Sequence, residues 1–234
     1  MGSIWSQTCS IGRRPPLRGH LKTQAAVVGA GMAGVLTAYA LQQAGLSVVV
    51  LEAGRIAGGQ TQNTTAKITS QHGLIYSRLI QSFGEETARR YAKANQDAVR
   101  AYQDLIDVQG ISCDWEERCA YLYGPDVTVL QEEAEAARRL GLPASFTREV
   151  SIPIPHDGAV RFEGQAQFHP LKFLKVLADQ LTIYEQSRVL TAEGDLLTTE
   201  LGSVQAEHIV FACHFPFVNF PGMYFARMHQ ERSY

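Results

Sequence analysis

Three glycines and one glutamate early in the chain have the residue types and spacing of a dinucleotide-binding turn. The apolar residues 25–28 lead into Gly29-Ala30-Gly31-Met32-Ala33-Gly34, a Gly-x-Gly-x-x-Gly pattern. A second apolar run, 47–51, ends on Glu52, which is 52 − 34 = 18 residues beyond Gly34. Glycines at these positions permit a tight turn, close approach of a pyrophosphate and close packing of a helix. A carboxylate at Glu52 can accept hydrogen bonds from a ribose diol and disfavours NADP, whose ribose carries a 2′-phosphate.

A polar segment follows this motif at residues 58–73, with the sequence GGQTQNTTAKITSQHG. It is too polar for a core element and too long for a simple connector. Loops of this kind often carry function. Lys67 and His72 are the two side chains within it that could act on a bound ligand.

The surrounding elements indicate how these residues are positioned. Residues 24–60 read as a strand–helix–strand unit with its helix at 35–44 and its second strand at 47–51. Residues at helical spacing predict a core-facing stripe on a long helix: Tyr91, Ala94, Ala98, Tyr102, Leu105 and Ile106. The further predicted helices are 74–83, 85–108, 126–140 and 170–181, and the further strands are 120–123, 159–162, 166–168, 188–192, 196–200 and 207–212.

Composition and charge exclude several classes of protein. The net charge of −2 and the 19% share of charged residues give no global field for nucleic acid or a membrane surface, and no apolar run reaches the length of a membrane span. We predict that residues 1–23 form an extended N-terminal lead-in segment. The Arg13-Arg14 pair resembles a twin-arginine export signal only superficially, because the apolar run begins after Lys22. The four cysteines show no Cys-x-x-Cys pairing, which predicts reduced thiols, no metal site and a cytoplasmic protein.

Together, the glycine motif, the stretch from Leu51 to Gly59 and the Thr-Thr-Ala-Lys-Ile-Thr-Ser-Gln-His-Gly stretch at 64–73 resemble the FAD-dependent oxidoreductases of the D-amino-acid-oxidase/glycine-oxidase superfamily. The segments 167–172 and 224–228 resemble a bacterial subgroup that carries a C-terminal Rieske domain. The resemblance runs over nearly the whole chain. It implies an α/β fold, with an FAD-binding Rossmann-like domain of the glutathione-reductase type and an inserted α+β substrate domain.

This resemblance also implies a division into domains. The lead-in covers 1–23, the FAD-binding domain 24–110 and 170–215, and an incomplete substrate domain 111–169 and 216–234. In the subgroup the chain continues further, so we expect a C-terminally truncated version. No Cys-x-His…Cys-x-x-His pattern occurs here, so we expect no iron–sulfur cluster.

Roles for individual residues follow from the same resemblance. Glu52 would hold the adenosine ribose, and Lys67 and His72 would lie near the flavin ring as candidate catalytic residues. Arg227 would meet a substrate carboxylate, with a structural salt bridge as the alternative. The residues implied to contact FAD are Gly29, Gly31, Ala33, Gly34, Glu52, Ala53, Arg55, Thr61, Thr65, Ala66, Lys67, Val189 and Ala212.

The expected activity is hydride transfer from an amine or amino-acid-like small molecule to FAD, with the electron acceptor left open. Two alternatives stay open. One is a catalytically silent FAD- or nucleotide-binding module, and the other is an NAD-dependent dehydrogenase. The long 58–73 segment argues against the second, because it suits an extended FAD better.

Overall fold

The computed structural model describes residues 2–150, 153, 155–215, 217–218 and 224–228. Short 3₁₀ turns lie at Thr61–Asn63 and Tyr224–Arg227. The helices and strands are, in chain order, α1 (Ile4–Thr8), β1 (Gly19–Val28), α2 (Met32–Gln43), β2 (Val48–Leu51), β3 (Lys67–Ile68), α3 (Tyr76–Gln109), β4 (Glu116–Gly124), α4 (Val127–Arg139), β5 (Ala144–Thr147), β6 (Gly158–Gln167), α5 (Pro170–Ala178), β7 (Thr182–Tyr184), β8 (Thr191–Glu193), β9 (Leu196–Thr198) and β10 (Gly202–Phe211).

These elements form two compact units. The first comprises Met1–Thr64 with Pro170–Tyr234, and the second is the intervening Thr65–His169. The predicted boundary at 110 differs from this division, because α3 packs with α4 in the second unit. The lead-in belongs to the first unit and contains α1 and the start of β1. Most of the predicted substrate-domain segment 216–234 lies outside the described residues.

The first unit is built on a mixed sheet with strand order β7-β2-β1-β10-β9-β8. β7, β2, β1 and β10 are parallel, and β10, β9 and β8 continue as an antiparallel meander. Ala25, Ala26, Val27 and Val28 of β1 are all buried, because β1 has a neighbour on both edges. β10 pairs with β1 up to Val28 opposite Phe211. A strand from late in the chain therefore ends beside the glycine turn, as the sequence predicted.

The second unit is an antiparallel sheet covered by helices. β6 is its central strand, with β4 along one edge and with β5 and β3 along the other. The sequence predicted two short strands where the structure has the single strand β6. Gly164 adopts a positive φ of 59° within it, so the chain bends there without ending the pairing. The short strands β3, β5 and β7 were not predicted.

A break at Gly84 divides α3 into the two helices that the sequence predicted. Gly84 has φ 78° and ψ 161°, outside the helical region. The predicted core stripe on the second helix is wrong in its first half, where Tyr91, Ala94 and Ala98 are exposed. Ile106 of that stripe is buried as predicted, and the other buried positions are Ala88, Ala92 and Val99. Small alanines allow α3 to pack closely against α4 and the sheet.

Glu133 of α4 caps the start of α3. Its carboxylate is 2% exposed and accepts the backbone N–H groups of Ile75 (2.8 Å), Tyr76 (2.8 Å) and Ser77 (2.9 Å). Ile75, the N-cap residue, has no capping side chain of its own. A buried negative charge at a helix N-terminus satisfies otherwise unpaired donors and complements the helix dipole. The Tyr76 hydroxyl donates to the Ser70 carbonyl, and burial is the main cause that raises the pKa of Tyr76.

Candidate functional site

The glycine turn joins β1 to α2 and touches the end of β10. Gly29 has φ 107°, which favours glycine, and a Cβ there would lie 3.0 Å from the Ala212 carbonyl oxygen. A Cβ on Gly34 would lie only 1.9 Å from the Gly29 carbonyl oxygen. These two glycines are therefore required by the packing of the protein itself. Ala212 lies where the sequence placed it, donating its N–H to the Val28 carbonyl at 2.9 Å.

Gly31 differs from its two neighbours in the motif. The nearest atom to a Cβ on Gly31 would be the Thr61 Oγ1, at 3.4 Å, and its φ of −80° suits any residue. Protein packing alone does not require glycine here, whereas a ligand lying against the backbone would.

The N-terminus of α2 presents polar hydrogens beside Gly31. Thr61 is buried, and its hydroxyl oxygen accepts the Met32 N–H at 3.0 Å. Within the described part of the chain, the N–H groups of Ala33 and Gly34 have no protein acceptor. Unpaired N–H groups at the positive end of a helix dipole bind phosphate. The geometry therefore fits a pyrophosphate, and it brings together Gly31, Ala33, Gly34 and Thr61 of the predicted set.

Glu52 lies at the carboxyl end of β2, next to this turn. Its Oε2 accepts the Ala30 N–H at 2.7 Å, and its Oε1 accepts the Gly54 N–H at 2.7 Å. Both backbone donors fix the orientation of the carboxylate. Each carboxylate oxygen can accept a second hydrogen bond, so the group can still bind a ribose diol. Ala53, the next residue, is exposed.

Arg55 is held by protein groups. Its guanidinium pairs with the Glu185 carboxylate and also donates to the Ile11 carbonyl at 2.8 Å. Sequence reasoning missed Glu185, which is 2% exposed and lies 130 residues from Arg55. The one local feature of the sequence that could have indicated Glu185 is its position directly after the strand β7. Arg55 also lines a cleft of about 490 Å³ together with Glu52, Gly54 and residues of the N-terminal segment.

Val189 is the remaining predicted residue of the first unit that lies inside the fold. It is 6% exposed and packs in the cluster that contains Leu51 and Val204. Its predicted contact is through the backbone, so burial of its side chain is compatible with that role.

Arg227 is exposed at the end of the Tyr224–Arg227 turn. Burial raises the pKa of the thiol of Cys213, the residue after Ala212.

Thr65, Ala66 and Lys67 belong to the second unit. Ala66 is buried with φ 59°, an uncommon conformation for alanine, and its carbonyl accepts the Phe168 N–H at 3.4 Å. Lys67 is exposed on β3 opposite Gln167. His72 is exposed and its Nδ1 lies 3.2 Å from the Tyr91 hydroxyl. That contact favours a packing role for His72.

No three His, Cys, Asp or Glu side chains among the described residues lie close enough to hold a metal ion. No helix within the described ranges is both long and apolar enough to cross a membrane.

Comparison with protein families identifies the chain's relatives. The family model described as FAD dependent oxidoreductase, DAO, matches residues 24–228. The chain belongs to this family. Membership confirms the resemblance inferred from the glycine motif and the Thr-Thr-Ala-Lys stretch, and it confirms FAD as the cofactor of the family. The fold class, a parallel-sheet α/β unit with an inserted α+β unit, is confirmed as well.

Individual relatives of this DAO-family chain are oxidoreductases and an iron–sulfur protein. YhfW of Bacillus subtilis (strain 168), named as a Rieske 2Fe-2S iron–sulfur protein, is 34% identical over 99% of this chain and 48% of its own length. Gamma-glutamylputrescine oxidoreductase of Escherichia coli (strain K12) is 26% identical over 80% of this chain and 47% of its own length. The chain therefore spans about half the length of the curated relatives it matches.

Among solved structures, L-amino acid deaminase from Proteus myxofaciens is similar with a TM-score of 0.69. The identity is 18%, and the match covers 91% of this chain and 49% of that one. At this identity the likeness shows the fold alone.

Proposed function

We propose that this chain binds FAD through its first unit and oxidises an amine or amino-acid-like small molecule. The observation that carries the proposal is the N-terminus of α2, where the N–H groups of Ala33 and Gly34 have no acceptor among the described residues and lie beside the open position of Gly31. Glu52 lies next to that turn with its carboxylate already oriented. FAD, when bound, supplies the acceptor for a hydride from the donor.

Each residue of the first unit has a distinct binding task. The Ala33 and Gly34 N–H groups would bind the pyrophosphate, and Gly31 would let it approach the backbone. Glu52 would orient the adenosine ribose. Thr61 supports the helix end by accepting the Met32 N–H, so its contribution to phosphate binding is partly indirect.

The roles of the residues outside the glycine turn, Glu52 and Thr61 are predictions. We propose Lys67 as a positive charge that acts on the flavin, which would favour the reduced state of the ring electrostatically. His72 is proposed as a second candidate catalytic residue, although its contact with Tyr91 supports a structural role. Arg227 is exposed and could form a bidentate pair with a substrate carboxylate. Thr65, Ala66, Ala53, Arg55 and Val189 are proposed as further FAD contacts.

An anaerobic reduction experiment tests the proposed chemistry. FAD-loaded protein is mixed with a panel of amino acids and amines, and the visible flavin absorption is followed, with free FAD as the control. Loss of absorption with one donor class, at a rate that saturates with donor concentration, is the expected result. Bound FAD that no donor reduces would favour the silent nucleotide-binding module, and binding of NAD in place of FAD would favour the dehydrogenase.

Replacing Glu52 with Gln is expected to weaken FAD binding about tenfold, because the amide keeps only one of the two acceptor oxygens. Its NH₂ group would also face the N–H of either Ala30 or Gly54. Isothermal titration of the apoprotein with FAD measures the effect. Glu200→Gln, an exposed acid of the same unit, is the matched control. Equal affinity for FAD in Glu52→Gln and wild type would remove Glu52 from the site.

A further inference from the structure

The N-terminal segment ahead of the glycine motif forms hydrogen bonds with residues of the first unit, which also contains the motif. We define the strap as residues 3–18. The Trp5 indole N–H donates to the Thr64 carbonyl at 2.8 Å, and the Ile11 carbonyl accepts from Arg55. Ile11 and Leu17 are buried at 8% and 1% exposure. A segment with apolar anchors and tertiary hydrogen bonds at both ends has a defined position.

A short connector that begins at the last residue of β7, residues 184–187, binds the strap through two buried side chains. The Glu185 Oε2 accepts the Arg14 N–H at 2.9 Å. The Ser187 hydroxyl oxygen accepts the Leu17 N–H at 2.8 Å. Glu185 and Ser187 are each 2% exposed, so both interactions are shielded from water.

The same connector also holds the turn that carries Glu52. The Glu52 N–H donates to the Tyr184 carbonyl at 2.8 Å, and the Glu52 carbonyl accepts the Ser187 N–H at 2.8 Å. The second oxygen of Glu185 accepts the Ile56 N–H at 2.8 Å. Arg55 completes the arrangement by bridging Glu185 and the Ile11 carbonyl. Every hydrogen bond of the Glu185 carboxylate therefore joins the strap or the turn 52–59.

The strap and this turn line one cleft. Ser6, Cys9, Ser10 and Ile11 come from the strap, and residues of 52–59, including Glu52, come from the turn. The cleft has a volume of about 490 Å³ and a mixed polar and apolar lining. The strap contributes hydroxyl and backbone groups, and residues 1–51 contain no acidic side chain. A cleft lined by hydroxyl groups and by the Glu52 carboxylate suits the hydroxyl-bearing adenosine part of a nucleotide.

We infer that the strap completes the adenosine end of the cofactor site and that Glu185 is the positioning residue that holds strap and Glu52 turn together. This inference rests on the proposed function for the identity of the ligand. It adds a segment that precedes the dinucleotide motif to the binding site. Glu185 acts through Arg55, Ile56 and Arg14 and does not itself need to touch the nucleotide.

Glu185→Gln tests this role with little change of shape. Each carboxylate oxygen faces an N–H donor, so the amide NH₂ must face a donor in either orientation. We expect the dissociation constants for FAD and for ADP each to rise about tenfold or more, since buried charged hydrogen bonds are lost. Asp179→Asn is the matched control, because it removes the exposed Asp179 partner of the Arg14 side chain.

Trypsin provides a readout that does not depend on flavin. Cleavage after Arg13 requires the strap to leave its position, so Glu185→Gln is expected to be cut there sooner than wild type or Asp179→Asn. A variant in which FAD and ADP affinities and Arg13 cleavage all stay within twofold of wild type would overturn the inference. So would weakened FAD binding with unchanged ADP binding, because the strap would then not contact the adenosine end.

If Glu185→Gln does not fold, Ser187→Ala provides a second test of the same inference. It removes the acceptor of the Leu17 N–H and a local hydrogen bond from the Ser187 hydroxyl to the Glu185 carbonyl, but it leaves the Glu185 carboxylate in place. We expect a smaller rise in the ADP dissociation constant, about threefold, with faster cleavage after Arg13. Unchanged values for both measurements would again contradict the role of the strap. Wild-type protein that binds neither FAD nor ADP would refute the proposed function, whereas wild-type binding with unaffected variants would refute the strap alone.

Discussion

Gly31→Asp is expected to abolish FAD binding without unfolding the protein. A Cβ at this position meets only the Thr61 Oγ1, at 3.4 Å, and the backbone is extended, so the side chain fits. Aspartate is also a favourable N-cap residue, and its carboxylate can accept the N–H groups that would otherwise bind phosphate. We expect the FAD dissociation constant to rise by about a thousandfold, equivalent to about 4 kcal/mol.

The same substitution should leave the midpoint of thermal unfolding of the apoprotein unchanged or slightly higher. Differential scanning calorimetry with and without FAD measures both effects on one sample. Gly124→Asp adds an equal charge in the second unit, where a Cβ meets nothing within 4 Å, and should retain FAD. Retained FAD affinity in Gly31→Asp would mean that the N-terminus of α2 is not the phosphate site.

Glu133→Ala is expected to lower the free energy of unfolding of the second unit by about 3 kcal/mol. The substitution leaves the N–H groups of Ile75, Tyr76 and Ser77 without their acceptor, and it removes a buried negative charge from the N-terminus of α3. It also leaves a small cavity, because the Glu133 side chain is buried at 2% exposure. Glu133→Gln keeps one acceptor oxygen and should lose about 2 kcal/mol.

Chemical denaturation followed by tryptophan fluorescence measures this effect unit by unit. The two tryptophans, Trp5 and Trp115, lie one in each unit, so a Trp5→Phe background reports on the second unit alone. Glu132→Ala, an exposed neighbour on the same helix, should change the unfolding free energy by less than about 0.5 kcal/mol. Equal stability of Glu133→Ala and Glu132→Ala would show that the cap contributes nothing.

The glycine turn could be predicted because local sequence determines it. Gly29 and Gly34 follow from a positive φ and a 1.9 Å backbone approach, which only glycine satisfies. The same holds for the break at Gly84 and for the helix after Asp126, which caps α4 by accepting the Val129 N–H. These features depend on residues only a few positions apart.

The connector and the strap could not be predicted, because their interactions span the chain. Arg14 and Glu185 are 171 residues apart, and Leu17 and Ser187 are 170 apart. No periodicity or motif marks such pairs. The predicted stripe on α3 failed in part: Ile106 is buried as predicted, but Tyr91, Ala94 and Ala98 are exposed. Small and apolar residues recur on more than one face of this helix, so local spacing alone does not select the buried face.

The boundary between the two units is a third feature that the sequence alone did not predict. The first part of the FAD-binding domain implied by the resemblance extended from residue 24 to residue 110. The structure assigns Thr65 onward to the second unit, because α3 packs with α4 there and β3 pairs with β6. A two-residue strand such as β3 is too short to show a pattern of alternation.

The central claim is that this chain binds FAD, and a visible spectrum of the purified 234-residue protein tests it most directly. The spectrum is recorded before and after incubation with FAD, followed by removal of unbound cofactor on a desalting column. We predict a protein-bound flavin spectrum in amounts equimolar with the chain, and its loss in Gly31→Asp. Folded wild-type protein that leaves the column without flavin would contradict the claim.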